Sequence, residues 1–430
     1  MRISPARTAA FEALARIETK RAFSSIVLPQ VEDGLSPADR GLCHELVLGV
    51  LRRRMWLDRA IDSLVGDRKL DFEVRIALRL GILQLVFLDR IPQHAAVNDS
   101  VSLAVRAKKS SAKGLVNAVL RNISRGTPKL SFADDIERTS VETSHPGWLV
   151  EKWAVEFGFE KAASIAAANN WPPKIAFRLT PRALETDWTK NYKTSESVNG
   201  CFIADSLDLQ LRERAEAGEI YFQDEASQMV AAAIEIPPNG RFLDVCAAPG
   251  GKTGAIAARS SGHGSDALLV AGDLHRQRVR FLQENLEKQG ISRVRVVQYN
   301  ASASLPFADE TFDSILVDAP CSGTGTIRHN PEIRYFLEPG DLDKLQKTQL
   351  AILTNASKVL KQGGSLVYST CSMEREENEE VVGSFLVGNN DFELMRPNVA
   401  VRFETVDGLA RTYPDRDDMD GFFIAGFRRK

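Results

Sequence analysis

Cysteine is scarce in this 430-residue chain, and none of it falls in a paired spacing. The five cysteines, Cys43, Cys201, Cys246, Cys321 and Cys371, contain no C-x-x-C pair. That argues against a zinc site and a disulfide framework, and fits a reducing cytosol. Long apolar runs are also missing. The longest, Ile76 to Leu88, is too short to span a bilayer and is broken by Arg79. The first residues carry Glu12 and lack an apolar h-region, so no export signal is expected. The expectation is a cytoplasmic monomer with neither metal nor membrane attachment.

Net charge is nearly absent too, at −2, but this hides an asymmetry. Residues 1–130 hold 22 Lys and Arg against 13 Asp and Glu, so the front is basic and the remainder acidic. A basic front on an acidic body suggests a polyanionic partner, the alternative being a solvated basic surface with no partner.

The front, residues 1–130, reads as helices throughout. Ser36-Pro37-Ala38-Asp39 resembles a capping box with Pro at the first helical position. Leu46, Val47, Val50 and Leu51, then Ile76, Leu80, Leu83 and Phe87, then Val97, Val101, Ala104 and Val105, recur at helical spacing. Its basic residues, among them Arg52 to Arg54, Lys108, Lys113, Arg121 and Arg125, are expected on helix surfaces. A polar stretch then predicts a linker over 131–146. Residues 147–235 mix helix and strand signals without a clear fold.

From Arg241 the pattern becomes regular. Apolar runs at Phe242-Leu243-Asp244, Leu268 to Asp273, Val294 to Tyr299, Ser314 to Asp318 and Ser365 to Tyr368 alternate with helical segments. One of these, with Leu342, Leu345, Gln349, Ile352, Leu353, Ala356, Val359 and Leu360 on its face, is expected to end at Gly363-Gly364. Strands alternating with helices predict a parallel sheet covered on both faces, with ligands at the carboxyl ends of its strands.

The first of these strands runs into Cys246-Ala247-Ala248-Pro249-Gly250-Gly251-Lys252-Thr253, a small-residue turn before a helix. The second ends at Asp273, an acid placed to meet ribose hydroxyls, and together they point to a nucleoside cofactor. Gly251-Lys252-Thr253 also matches the end of a P-loop. However, Cys246 occupies the required first glycine, and Pro249 lacks an N–H for a phosphate nest. The fourth strand delivers Asp318-Ala319-Pro320-Cys321-Ser322-Gly323 and the fifth Thr370-Cys371-Ser372. If these strands are neighbours, two thiols and a carboxylate converge at one pocket rim. A lone cysteine would read as a small buried apolar residue; two at adjacent strand ends favour chemistry. Position alone does not say which of them attacks.

These motifs, with Asp420-Gly421-Phe422-Phe423-Ile424-Ala425 at the end, resemble the RNA cytosine-5 methyltransferases of the RsmB (Sun, Fmu) type. His94-Ala95-Ala96-Val97-Asn98 and Leu115-Val116-Asn117-Ala118-Val119-Leu120-Arg121 are similar to the NusB helical fold, which binds RNA. His145-Pro146-Gly147-Trp148-Leu149 and Tyr221-Phe222-Gln223-Asp224-Glu225-Ala226-Ser227 look like the family's RNA-binding subdomain and the entry to its catalytic sheet. The resemblance implies three parts: an all-α NusB-like domain (1–130), a small α+β RNA-binding subdomain (147–235) and an α/β Rossmann-like methyltransferase domain (236–430).

The resemblance also implies S-adenosylmethionine as cofactor, small-subunit (16S) ribosomal RNA as partner and C5 of a cytosine as target. C5 is too poor a nucleophile to take a methyl group unaided, and a thiolate adding at C6 activates it. The family pattern makes Cys371 that nucleophile and Cys321 the residue that helps release product. This overrides the analogy with DNA cytosine methyltransferases, whose nucleophile sits in a Pro-Cys pair like Pro320-Cys321. Residues Cys246, Ala247, Ala248, Pro249, Gly250, Gly251 and Lys252 would line the methionine part of the cofactor and Asp273 its ribose. Asp318 would lie between cofactor and base. The sequence departs from the family at Asn300, where Asp is usual and where an amide oxygen could accept from the adenine amino group, and at Thr180, where Asn is favoured. Alternatives are a transfer-RNA cytosine-5 methyltransferase, or a non-catalytic RNA-binding or antitermination protein on a dead methyltransferase.

Overall fold

The computed structural model of the protein describes residues 3–260 and 267–430. The chain divides into two compact units, Met1–Trp171 with Ile327–Leu337, and Pro172–Thr326 with Glu338–Lys430.

The first unit is helical. Helices Pro5–Lys20, Pro37–Arg52, Arg54–Val65, Phe72–Phe87, Gln93–Arg106 and Lys113–Ile123 bury one core that includes Leu14, Leu46, Val50, Leu57, Leu80, Leu83 and Leu120. The expected cap forms: Ser36 Oγ accepts from Asp39 N at 3.2 Å, and its hydroxyl donates to Asp39 Oδ2 at 2.8 Å. Gly81 lets two helices touch, since a Cβ there would lie 2.6 Å from Leu120 Cδ2. Arg79, which interrupts the apolar run, is buried but fully engaged by Asp58 on two nitrogens and by Glu18, each at 2.7 Å.

Sequence expectation and structure part in three places here. The 131–146 stretch, expected as linker, carries helix Asp135–Thr143, capped by Asp134 Oδ1 accepting from Glu137 N at 2.7 Å. Its polar residues are cap and turn chemistry for a packed helix, and the helical unit continues through Gly147–Phe157 and Phe159–Ala168. His145, expected in an RNA-binding subdomain, is wholly buried within this unit, its Nδ1 3.0 Å from Thr143 O. Arg52, expected on a surface, is buried and donates to Arg328 O at 3.1 Å.

That last bond involves Ile327–Leu337, which folds as part of the helical unit although it follows the fourth catalytic strand in sequence. Glu332 Oε1 accepts from Ser24 N at 2.5 Å, Arg334 donates to Thr143 O and Asn170 Oδ1 at 2.8 and 2.9 Å, and Tyr335 OH donates to Leu51 O at 2.7 Å.

The second unit holds two sheets. The smaller is antiparallel, order β2-β3-β1-β4, from β1 (Ile175–Leu179), β2 (Lys193–Thr194), β3 (Cys201–Ala204) and β4 (Ile220–Phe222). Successive strand residues face opposite sides. Phe177 packs on Trp188, Tyr192 and Phe202, while neighbouring Arg178 donates to Gly251 O and Gln289 Oε1 at 2.9 and 2.7 Å. Thr180 is a structural tie, its hydroxyl donating to Gly218 O at 2.6 Å.

The larger sheet contains the five expected strands, β5 (Arg241–Asp244), β6 (Leu268–Asp273), β7 (Val294–Gln298), β8 (Phe312–Asp318) and β9 (Leu360–Thr370). It adds β10 (Phe392–Met395), β11 (Ala410–Arg411) and β12 (Phe423–Arg429), in the order β10-β12-β9-β8-β5-β6-β7 with β11 on β12. The expected strands are parallel, but β12 and β10 are antiparallel, so the sheet is mixed. Helix Pro339–Lys358 ends before Gly363-Gly364, which lie inside β9. Leu360 belongs to the sheet rather than the helix face because it pairs with Phe312. The chain builds outward from β5 to β7, then returns to the other side with β8 and β9, so the turns after β5 and β8 open the crevice where ligands bind.

Candidate active site

β8 and β9 are neighbours, in register Asp318 to Ser369, and this brings the two distant Cys motifs together. Cys321 and Cys371, separated by 50 residues, have their sulfurs 3.3 Å apart. The approach depends on glycine. Gly325 N donates to Cys371 O at 2.9 Å, and a Cβ on Gly325 would sit 1.9 Å from Gly421 O. Gly421 of the closing motif, whose N donates to Gly325 O at 2.8 Å, is thereby explained as packing for the cysteine turns.

Asp318 ends β8. Its Oδ2 pairs with Lys252 Nζ at 2.8 Å and its Oδ1 accepts from Ser369 Oγ at 2.8 Å. Burial alone would lower the Lys252 pKa. Asp318, and more weakly the Cys371 sulfur and Asp244, outweigh it and hold the ammonium above its ordinary value. The structure therefore places Lys252 on Asp318 beside the thiols, a role more specific than a helix-start cation. The Cys321 thiol is pushed well up, first by its hydrogen bond with Cys371 and then by burial and the nearby carboxylates Glu377 and Asp318.

The turn after β5 runs through Cys246 to Gly250 into helix Gly251–Ser260. Gly250 has φ +102°, which favours glycine, and a Cβ there would meet Leu282 Cδ1 at 2.9 Å. Asp273 ends β6 next to this turn. Its Oδ2 accepts from Ala248 N at 3.3 Å and pairs with Arg278 at 3.2 Å, and its Oδ1 accepts from Leu274 N at 2.8 Å. Burial, with Asp244, Asp273 and Asp318 around it, pushes the Cys246 thiol well up.

Asn300 differs from expectation in its bonding. Its Oδ1 accepts from Ser302 N at 3.1 Å and Ser302 Oγ at 2.8 Å, closing an Asx turn that occupies the acceptor expected to meet an adenine amino group.

Sequence reading missed Glu377 and Asn378. Glu377 is wholly buried and accepts from Ser322 N at 2.8 Å, Ser322 Oγ at 2.5 Å, Gln349 Nε2 at 2.8 Å and the Ser372 hydroxyl. Asn378 accepts from Thr370 Oγ1 at 2.5 Å and donates to Ser372 O at 2.9 Å. Both sit in Glu374-Arg375-Glu376-Glu377-Asn378-Glu379-Glu380, which reads as a solvated charge run. The available signal was its closeness to Thr370-Cys371-Ser372.

The family model described as 16S rRNA methyltransferase RsmB/F matches residues 231–428, and that of the NusB family matches residues 4–125. Fold and site together are those of an S-adenosylmethionine-dependent RNA methyltransferase with a NusB-type helical front. A Bacillus subtilis protein named "Probable ribosomal RNA small subunit methyltransferase B" is 36% identical over 100% of both chains. "Ribosomal RNA small subunit methyltransferase B" of Pseudomonas syringae is 34% identical, covering 88% of this chain and 86% of its own. A solved methyltransferase homolog from Pyrococcus horikoshii, 27% identical, covers 70% of this chain and 100% of its own with a TM-score of 0.58. The chain belongs to the 16S rRNA methyltransferase RsmB/F family. Among the described residues, no helix is long and apolar enough to cross a membrane.

Proposed function

We propose that the protein methylates C5 of a cytosine in small-subunit ribosomal RNA, with Cys371 as covalent nucleophile and S-adenosylmethionine as methyl donor. The observation that carries this reading is the pair of sulfurs 3.3 Å apart beside the Lys252–Asp318 ion pair. The names of the relatives support the choice of RNA.

The residues present fit the cofactor. The Cys246 to Gly251 turn leaves room only for small side chains, and Asp244, wholly buried beneath it, keeps Oδ1 without a hydrogen-bond partner. The turn and Lys252 would hold the methionine part and Asp273 the ribose; when bound, the cofactor supplies an electrophilic methyl group. Asn300 would reach the adenine through its Nδ2, since its Oδ1 is taken.

The protein's own residues account for the rest. The Cys371 thiolate, with the Lys252 cation nearby, forms a bond to C6 of the base. The C5=C6 electron pair then makes C5 nucleophilic. Asp318, ionised beside Lys252, accepts from the exocyclic amino group and so fixes the pyrimidine edge. After methylation C5 gives up its proton to solvent, the C5–H electron pair re-forms the double bond, and the C6–S bond breaks to return the Cys371 thiolate, with the Cys321 thiol next to the departing sulfur. A base must leave its stack to enter such a site, which favours unpaired RNA.

The test is transfer of labelled methyl to unmodified small-subunit ribosomal RNA and, separately, to transfer RNA, read by nucleoside digestion. 5-Methylcytidine in the ribosomal RNA is expected. Product only in transfer RNA would move the substrate assignment, and cofactor binding without product on either would favour a non-catalytic RNA-binding protein.

A further inference from the structure

Two serines follow the two cysteines: Ser322 after Cys321, and Ser372 after Cys371. One carboxylate binds both. Glu377 Oε1 accepts from Ser322 N and from Gln349 Nε2, each at 2.8 Å. Its Oε2 accepts from Ser322 Oγ at 2.5 Å and from the Ser372 hydroxyl. All four acceptor positions of the carboxylate are thus filled by groups that hold the cysteine turns. Gln349 extends the grip, its amide also donating to Pro320 O, the residue before Cys321, at 3.0 Å. Glu377 is itself anchored, since its carbonyl accepts from Tyr368 OH at 2.6 Å and the next residue, Asn378, bonds Thr370 and Ser372 on either side of Cys371.

A buried acid that touches no reacting atom and spends every acceptor on two turns has a mechanical function. We propose that Glu377 is a positioning residue that ties the Cys321 turn to the Cys371 turn and so sets the separation of the two sulfurs. The proposal rests on the two-thiol reading of the site. Its geometry makes a distinction between substitutions. In Glu377→Gln the amide oxygen keeps the two N–H donors and the NH2 donates to the two serine hydroxyls, which rotate to accept, so the tie survives. In Glu377→Ala it is gone.

The test uses the full-length protein and a readout independent of methyl transfer: the rate at which dibromobimane, a short thiol-to-thiol reagent, bridges Cys321 to Cys371, followed by mass spectrometry. Steady-state methyl transfer and S-adenosylmethionine binding are measured alongside. Glu377→Ala should slow bridging about 10-fold or more and lower kcat about 100-fold, in line with the cost of misplacing reacting groups by about 1 Å, with cofactor affinity and RNA KM within about 3-fold. Glu377→Gln should restore bridging and most of kcat. If the alanine variant does not fold, Ser372→Ala removes the carboxylate's bond to the Cys371 turn and should slow bridging, whereas Ser322→Ala loses the hydroxyl bond but keeps its backbone N–H on Glu377 and should slow it less. Native-like bridging in folded Glu377→Ala, or in both serine variants, overturns the proposal. So does a Gln variant as impaired as Ala. Absence of methyl transfer by the native protein would instead refute the functional reading and leave the bridging result standing.

Discussion

Replacing Asp244 with Asn should change how the protein's stability depends on pH. Asp244 ends β5, is 1% exposed, and accepts from Thr253 Oγ1 at 2.6 Å through one oxygen while the other has no hydrogen-bond partner. Burial, offset in part by the Thr253 bond and reinforced by Asp318, pushes its carboxyl up from 3.8 to about 7. An acid raised on folding binds more protons in the folded state between those values, so its stability contribution is full below about pH 4 and is lost as pH rises through 7. The shift of about three units corresponds to about 4 kcal/mol, of which about 3 kcal/mol falls between about pH 5 and pH 8. Asn keeps an acceptor for Thr253 and cannot ionise. Melting temperatures of native and Asp244→Asn protein without cofactor, at steps from pH 5 to 8, test this, because titrations common to both cancel in the difference. The variant should gain on the native protein by roughly 5–10 °C across that range for a unit of this size. Its absolute offset also contains the cost of an unpaired amide N–H, so the slope is the diagnostic quantity. A difference that is flat with pH would refute the reasoning.

Lys252→Met leaves Asp318 without its cation at the centre of the site. Methyl transfer should fall about 100-fold or more, with a stability loss of only about 1–2 kcal/mol because Asp318 keeps Ser369 and is a quarter exposed; near-native kcat would contradict the role given to the ion pair. Asn300→Asp retains the Asx turn's acceptor but replaces the Nδ2 donor with an acceptor, so S-adenosylmethionine affinity by calorimetry should fall by up to about 10-fold, whereas an unchanged affinity would place the adenine elsewhere. Changing exposed Lys108, Lys113, Arg121 and Arg125 together to Gln should weaken RNA binding and lower the log–log salt slope by up to about 3. An unchanged slope would remove the helical front from the RNA-binding surface.

Local pattern made much of this molecule readable in advance. Apolar runs ending in a polar residue located β5 to β9, and the doubly wound rule made β8 and β9 neighbours, which is what joins Cys321 to Cys371. What escaped depended on partners remote in sequence. Arg52 and Arg334 look like surface cations until the carbonyls they satisfy, Arg328 O and Thr143 O, are in place. The helical unit claims Ile327–Leu337 from the middle of the catalytic region, a detour no periodicity signals. Glu377 sits in an acidic run, and a run reads as solvated because nothing local shows that one of its members will be buried against Ser322, 55 residues earlier. β12, inserted beside β9, and β10 at the sheet edge escape the pattern because their pairing is antiparallel and non-local, outside the strand–helix alternation.

The central claim is that Cys371 attacks and Cys321 assists release. The most direct test is covalent trapping: native, Cys371→Ala and Cys321→Ala proteins are incubated with S-adenosylmethionine and unmodified small-subunit ribosomal RNA, and protein–RNA adducts are resolved on denaturing gels. The account predicts an accumulated adduct with Cys321→Ala, mapped to Cys371, and none with Cys371→Ala. An adduct persisting in Cys371→Ala, attached through Cys321, would contradict it.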